Sequence, residues 1–202
     1  MDKSALWFGR FQPPTLAHLA ALKAILGVWE LVTLGLVDRH AAKTVGKGRT
    51  WAEYHALMNR TSYAAGKNPF TAEEVRAMWL AAIERADLVD RVQPEILPRP
   101  ECWPSLNSTF PPRLFDYVQI IGSVDGAVED FRRTHGSSIF GRPLSWIESP
   151  IALHNSEIRH RIASGAGRWQ DYLPEGAYNV FVELDGPARM GMVGTEALRL
   201  RD

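Results

Sequence analysis

Apolar, β-type runs alternate with helically spaced segments along most of this chain, and that alternation constrains the fold more than any single motif. Residues 4–11 read as a short buried strand that ends on Gly9, followed by a polar break with two prolines. Residues 16–26 have helical spacing, with Leu19, Leu22, Ile25 and Leu26 on one side and Gly27 as a stop. Residues 31–37 are apolar and β-rich, which makes a second strand. A strand, a helix and a strand in that order form a parallel crossover.

The rhythm breaks over 38–68, a glycine- and lysine-bearing stretch with one short helix over 51–59, opened by Thr50 and Glu53 at capping-box spacing. A clearer capping box, Thr71 with Glu74, follows Asn68-Pro69-Phe70. It opens a helix whose apolar face carries Val75, Met78, Trp79, Ala82 and Ile83. A third strand is expected over 89–97, a proline-rich loop over 98–112, and a fourth strand over 117–121 ending at Gly122. Helix over 127–133, strand over 144–147, helix over 155–163 stopped by Gly165, and a last helix over 174–184 complete the pattern. Repeated βα alternation predicts an α/β fold: a doubly wound, parallel, five-stranded Rossmann-like sheet with helices on both faces. One domain is expected over 1–184, with 38–68 inserted and 185–202 as a C-terminal tail.

Composition narrows the function classes. The 202 residues suffice to bury a core without disulfides or a structural metal. The 23 cations and 23 acids cancel, which argues against a nucleic-acid partner but not against a local basic pocket. The single cysteine, Cys102, cannot form an internal disulfide and sits in no zinc-type spacing, so it reads as an inert thiol. No signal-peptide pattern and no bilayer-length apolar run is present, so a cytoplasmic location without a membrane partner is the expectation. Oligomeric state, including a homo-oligomer, stays open.

Ligands of open parallel sheets sit beyond the carboxyl ends of the strands, where the first helix begins. That junction reads Gly9-Arg10-Phe11-Gln12-Pro13-Pro14-Thr15-Leu16-Ala17-His18. Gly9 lets a backbone approach a ligand, Arg10 is a fixed cation, and Thr15 can cap the helix or donate its hydroxyl to an oxyanion. Thr15 and His18, three apart, face the same way at a helix start, where the helix terminus itself attracts anions. The assembly suits a triphosphate. It lacks the Gly-x-Gly-x-x-Gly of a nicotinamide dinucleotide site and the Walker loop of a P-loop kinase.

Gly9-Arg10-Phe11-Gln12-Pro13-Pro14 followed by Thr15-x-x-His18 resembles the nucleotidylyltransferase superfamily, whose signature is His-x-Gly-His or Thr-x-Gly-His. The long form looks like the archaeal-type nicotinamide mononucleotide adenylyltransferase branch. Asn155-Ser156-Glu157-Ile158-Arg159 stands where the second motif, Ser-x-Thr-x-x-Arg-like, is expected. Asn68-Pro69-Phe70-Thr71-Ala72-Glu73, and Ile120-Ile121-Gly122 with Asp125, resemble two further segments, so the likeness runs to about residue 184. Departures are Ala17 in place of the signature glycine and Ser156 in place of the downstream threonine.

The resemblance implies an enzyme that moves a nucleotidyl group from a nucleoside triphosphate to a small anionic acceptor and releases pyrophosphate. It implies His18, Thr15 and Arg159 as catalytic residues. Nucleotide contacts would come from Gly9, Arg10, Phe11, His18, Gly122, Ser156 and Arg159. Acceptor contacts would come from Arg10, Lys43, Lys47 and Trp103. Magnesium would arrive with the triphosphate, since the sequence offers no dedicated oxygen cage for a metal. Between Arg39 and Lys67 the cations are Arg39, Lys43, Lys47, Arg49, Arg60 and Lys67 against the single acid Glu53, so the insertion reads as a basic lid over anionic substrates. That basic insertion, Ala17 and a Trp103 set among prolines favour a specialised cytidylyltransferase-type relative acting on a small phosphonate, with CTP or ATP as donor. The alternatives are a nicotinamide mononucleotide adenylyltransferase using ATP, and a non-catalytic nucleotide sensor.

Overall fold

The computed structural model describes residues 3–38, 48–61, 68–122, 124–151, 155–165 and 167–191, without the side chains of residues 155 and 156. The strands are β1 (Ser4–Gly9), β2 (Val32–Asp38), β3 (Val92–Pro98), β4 (Phe115–Ile121) and β5 (Leu144–Glu148). They form one sheet in the order β3-β2-β1-β4-β5, every neighbouring pair parallel. The helices are α1 (Leu16–Leu26), α2 (Arg49–Thr61), α3 (Ala72–Arg85), α4 (Leu106–Thr109), α5 (Gly126–Phe140), α6 (Asn155–Ser164) and α7 (Glu175–Glu183). The doubly wound five-stranded sheet is therefore the one expected.

β1 is central and buried on both faces, which is why it reads as a continuous apolar run rather than an alternating one. Ala5 and Trp7 join the core beneath α1, α3, α6 and α7, whereas Leu6 and Phe8 join the core beneath α2, α4 and α5. Gly35 in β2 leaves room for the Phe8 ring; a Cβ there would stand 2.6 Å from Phe8 Cδ1. Gly176 plays the same part between helices, since its Cβ would stand 2.2 Å from the Ala81 carbonyl oxygen, and Arg85 grips Glu175 with two 2.9 Å bonds beside it. Among the described residues no helix is long and apolar enough to cross a membrane.

Several local expectations change. α2 starts at Arg49, so Thr50 already lies inside the helix, and Glu53 bonds Arg49 at 2.7 Å instead of closing a capping box. The proline-rich stretch holds a turn of 3-10 helix (Pro100–Cys102) and the single-turn α4. α5 runs twice as far as its apolar spacing predicts, until Gly141 stops it in the left-handed conformation. The segment expected as a tail begins as helix over residues 186–191.

Of the expected lid, α2 alone is described together with its immediate flanks; Lys43, Lys47 and the rest of 39–47 and 62–67 lie outside the described residues. α2 is anchored to α5. The Arg132 guanidinium is buried between them, donating to the Tyr54 hydroxyl at 2.8 Å and to Gln119 Oε1 on β4 at 2.5 Å. A buried cation without such partners would be costly, so this set fixes how α2 packs.

Candidate active site

The winding of the sheet reverses between β1 and β4, so the two connections diverge from their carboxyl ends and leave a crevice there. Gly9 closes β1 at this crevice and Gly122 closes β4. Phe11 adopts φ 47°, unusual for a residue with a side chain, and its ring folds back across Gly9; a Cβ at Gly9 would lie 2.3 Å from Phe11 Cζ. Glycine is thus required by the ring of its second neighbour. The ring is 4 % exposed and meets His18 edge-on at 5.0 Å, Trp7 at 4.9 Å and Trp79 at 5.3 Å. Phe11 therefore supports the imidazole from behind and presents no face to a ligand.

Thr15 and His18 form a reciprocal cap on α1. The Thr15 hydroxyl oxygen accepts from the His18 backbone N–H at 3.4 Å, and the Thr15 backbone N–H donates to His18 Nδ1 at 3.2 Å. Thr15 is wholly buried, so its expected role as an oxyanion donor gives way to another: it aims His18. Nδ1 is committed as an acceptor, which leaves the proton of the neutral ring on Nε2. Burial first, and the nearby Arg159 charge second, lower the His18 pKa from 6.5 to about 3. The ring stays part-exposed and uncharged at neutral pH. Arg159, on α6, is half-buried, and loss of hydration holds its pKa below the usual guanidinium value.

Arg10 leaves β1 half-buried and donates from Nη1 to Asn68 Oδ1 at 2.6 Å. Gln12 is buried and makes a two-bond clasp with the Phe70 backbone, Nε2 to the carbonyl at 2.9 Å and the Phe70 N–H to Oε1 at 3.0 Å. Sequence reasoning gave Gln12 no role, although it stands inside the Gly9–Pro14 run that carries the resemblance. Gly122 has φ 74°, with open space where a Cβ would be, and its N–H is already taken by Glu129 Oε2 at 2.7 Å. Ser156 falls in the first turn of α6, its side chain outside the described atoms.

Trp103 does not join this group. Its ring packs on Phe110, which packs on Phe115, the first residue of β4, and it lines a cavity of about 550 Å³ that reaches the end of α5 at Phe140 and Gly141. That is the amino-terminal edge of the sheet, opposite His18. Cys102 is buried, and burial with the Glu101 charge pushes its thiol up to about 11, consistent with an unreactive cysteine.

A neutral imidazole donor at a helix start, with the Arg159 charge near it and Arg10 on the loop that leads into its helix, makes a candidate anion site. Comparison with known proteins agrees. The chain is 24% identical over 96% of its length to the nicotinamide-nucleotide adenylyltransferase of Thermococcus onnurineus, covering 90% of that protein. It is 32% identical over 130 residues to the protein of that name from Halorubrum lacusprofundi, covering 61% of this chain and 66% of that one. No family model matches the chain. Among solved structures, a bifunctional NMN adenylyltransferase/ADP ribose pyrophosphatase from Francisella tularensis shares the fold, with a TM-score of 0.62 at 16% identity over all of this chain and 55% of that one.

The chain is similar to enzymes of the nucleotidylyltransferase superfamily, and it is an enzyme that transfers a nucleotidyl group and releases pyrophosphate. Within that superfamily it resembles the archaeal-type nicotinamide mononucleotide adenylyltransferases. The phosphonate expectation loses its support. These relatives carry no such name, Trp103 stands at the far edge, and Ala17 is buried, so its methyl opens no wider acceptor pocket.

Proposed function

We propose that this enzyme transfers the adenylyl group of ATP to nicotinamide mononucleotide, forming the dinucleotide and pyrophosphate. The observation that carries the reading is the neutral His18, held by Thr15 at the switch point with the Arg159 charge near it. The likeness to nicotinamide-nucleotide adenylyltransferases over 96% of the chain supports the substrate pair.

The mononucleotide's phosphate oxygen attacks the α-phosphorus in line. A new P–O bond forms as the bond to the bridging oxygen breaks, and the electron pair leaves with pyrophosphate. A dianionic phosphate needs no general base, so the protein's work is alignment and charge stabilisation. His18 donates its Nε2 proton in a hydrogen bond to a phosphate oxygen and strengthens that bond as negative charge grows. Arg10 and Arg159 offset the charge of the triphosphate and the departing pyrophosphate. Magnesium would be held by the triphosphate oxygens and water, spreading the phosphate charge; among the described residues no group of three His, Cys, Asp or Glu side chains is gathered to hold it alone.

Pyrophosphate release, measured with ATP or CTP against nicotinamide mononucleotide, its nicotinic acid counterpart and a small phosphonate, tests the reading. ATP with nicotinamide mononucleotide is expected to give the highest kcat/KM. A preference for CTP with the phosphonate overturns the substrate assignment, and triphosphate binding without pyrophosphate in any pairing overturns the activity.

A further inference from the structure

We propose that Arg189 is a positioning residue for the phosphate-binding loop, acting through the 68–71 segment. Arg189 lies in the helical stretch that follows α7, far from His18 in sequence. Its guanidinium meets that segment at Pro69 and Phe70 and reaches it again through Glu74, which caps Thr71. It donates to both oxygens of Glu74, at 2.7 Å and 2.9 Å; it donates to the Pro69 carbonyl; and it stacks over the Phe70 ring at 4.5 Å from the centroid. Glu74 is thereby doubly used, because its Oε2 also accepts from the Thr71 backbone N–H as the reciprocal half of the α3 cap. The Arg189 bond is the first cause of the lowered Glu74 pKa, so the carboxylate stays ionised and the clamp stays charged.

The segment so held touches the site at two further points. The backbone of Phe70 is clasped by Gln12, and Asn68 Oδ1 accepts from Arg10. Gln12 and Arg10 flank Phe11 in the loop between β1 and α1, so the segment sets both the path of that loop and the direction of its guanidinium. Asn68 Nδ2 is buried without a partner among the described residues, so the amide is held by its Arg10 bond and by the placement of its backbone. The geometry forms a chain of contacts from Arg189 through Pro69 and Phe70 to Gln12 and Arg10. A planar, forked cation suits it because one group must meet a carboxylate, a carbonyl and an aromatic face together.

The inference rests on the proposed reaction for its kinetic arm alone. In the ligand-free protein, Arg189→Ala is expected to speed hydrogen exchange at the amides of Phe11, Gln12 and Phe70 while the β1 and β2 amides keep their protection. Unchanged exchange there overturns the proposal whatever the substrates are. In turnover with ATP and nicotinamide mononucleotide, Arg189→Ala should raise KM for ATP about tenfold with a much smaller change in kcat, since a displaced binding loop loses alignment. Arg189→Lys should recover part of this by keeping the ion pair. In an Asn68→Ala background the Arg189→Ala effect on KM should shrink, because both changes release the same guanidinium. A fall in melting temperature with KM unchanged would mean a purely structural role and overturn the proposal. Absence of turnover in the wild type, with the exchange response intact, would count against the substrate assignment and leave the positioning role supported.

Discussion

The backbone N–H of Thr15 donates to Nδ1 of His18 at 3.2 Å, so one bond both caps α1 and fixes which imidazole nitrogen carries the proton. A helix cap and the choice of imidazole tautomer are here the same interaction. Changing either residue therefore has two effects that must be separated.

His18→Asn separates them. An asparagine oxygen can replace Nδ1 as the acceptor for Thr15 but offers no donor where Nε2 stood. Turnover should fall by about two orders of magnitude, the usual loss when a charge-stabilising donor is removed. His18→Ala should be as inactive but less stable, by about 0.5–2 kcal/mol, because it also breaks the cap. Pyrophosphate release and melting temperature, measured on both variants, check this; equal melting temperatures would argue against the cap.

The pH dependence of stability has a definite sign. His18 is lowered in the fold from 6.5 to about 3, by burial first and Arg159 second, so between those values the unfolded chain binds a proton that the native ring refuses. Stability should fall as pH drops from about 6.5 toward 3 and be insensitive to this group above 6.5. His18→Asn should flatten that acid slope in denaturant midpoints. A His18 ring resonance that titrates near 6.5 would contradict the assignment.

Gly9→Ala should impair the site through Phe11. The added Cβ overlaps the Phe11 ring, and displacing that ring removes the edge-on support of His18. Overpacking of this kind costs about 1–3 kcal/mol, and turnover should fall with it. Combined with Phe11→Ala, the glycine substitution should have little further effect, since the obstacle is already gone. Additive losses in the double variant would show that Gly9 acts by another route.

Gly176→Ala tests packing away from the site. Alanine gains about 1 kcal/mol in helix propensity, but its Cβ would meet the Ala81 carbonyl, a backbone group on α3 that cannot rotate away. The clash should win, with a net loss of about 1–3 kcal/mol read as a lower denaturant midpoint, while KM for ATP stays at the wild-type value.

What the sequence disclosed was local. Thr71 and Glu74 form the reciprocal cap that their spacing predicts, and Thr15 and His18 meet because residues three apart at a helix start must. The five parallel strands followed from alternating runs with helices between them. Residues whose role depends on distant partners left no such pattern. Nothing in the sequence marks Arg132, whose partners are Tyr54, 78 positions away, and Gln119. Trp103 reads as a ligand platform because flat aromatic surface looks alike wherever it sits; only the path from β3 back to the start of β4 places it at the wrong edge. Glu53 bonds Arg49 rather than capping at Thr50 because α2 begins two residues earlier than its spacing implies.

The Arg189 clamp also sets an order of assembly. Its bonds to Glu74 and Pro69 reach back 115 and 120 positions, so on a growing chain β1, α1 and α3 are all synthesised long before their last brace exists. Local crossovers form early, whereas contacts of such long sequence separation wait for the later segment. A nascent chain halted before residue 189 would hold most of its sheet yet keep the loop bearing Arg10 unbraced. The loop bearing Arg10 is thus braced only after a segment more than a hundred positions downstream of Pro69 and Glu74 has been made.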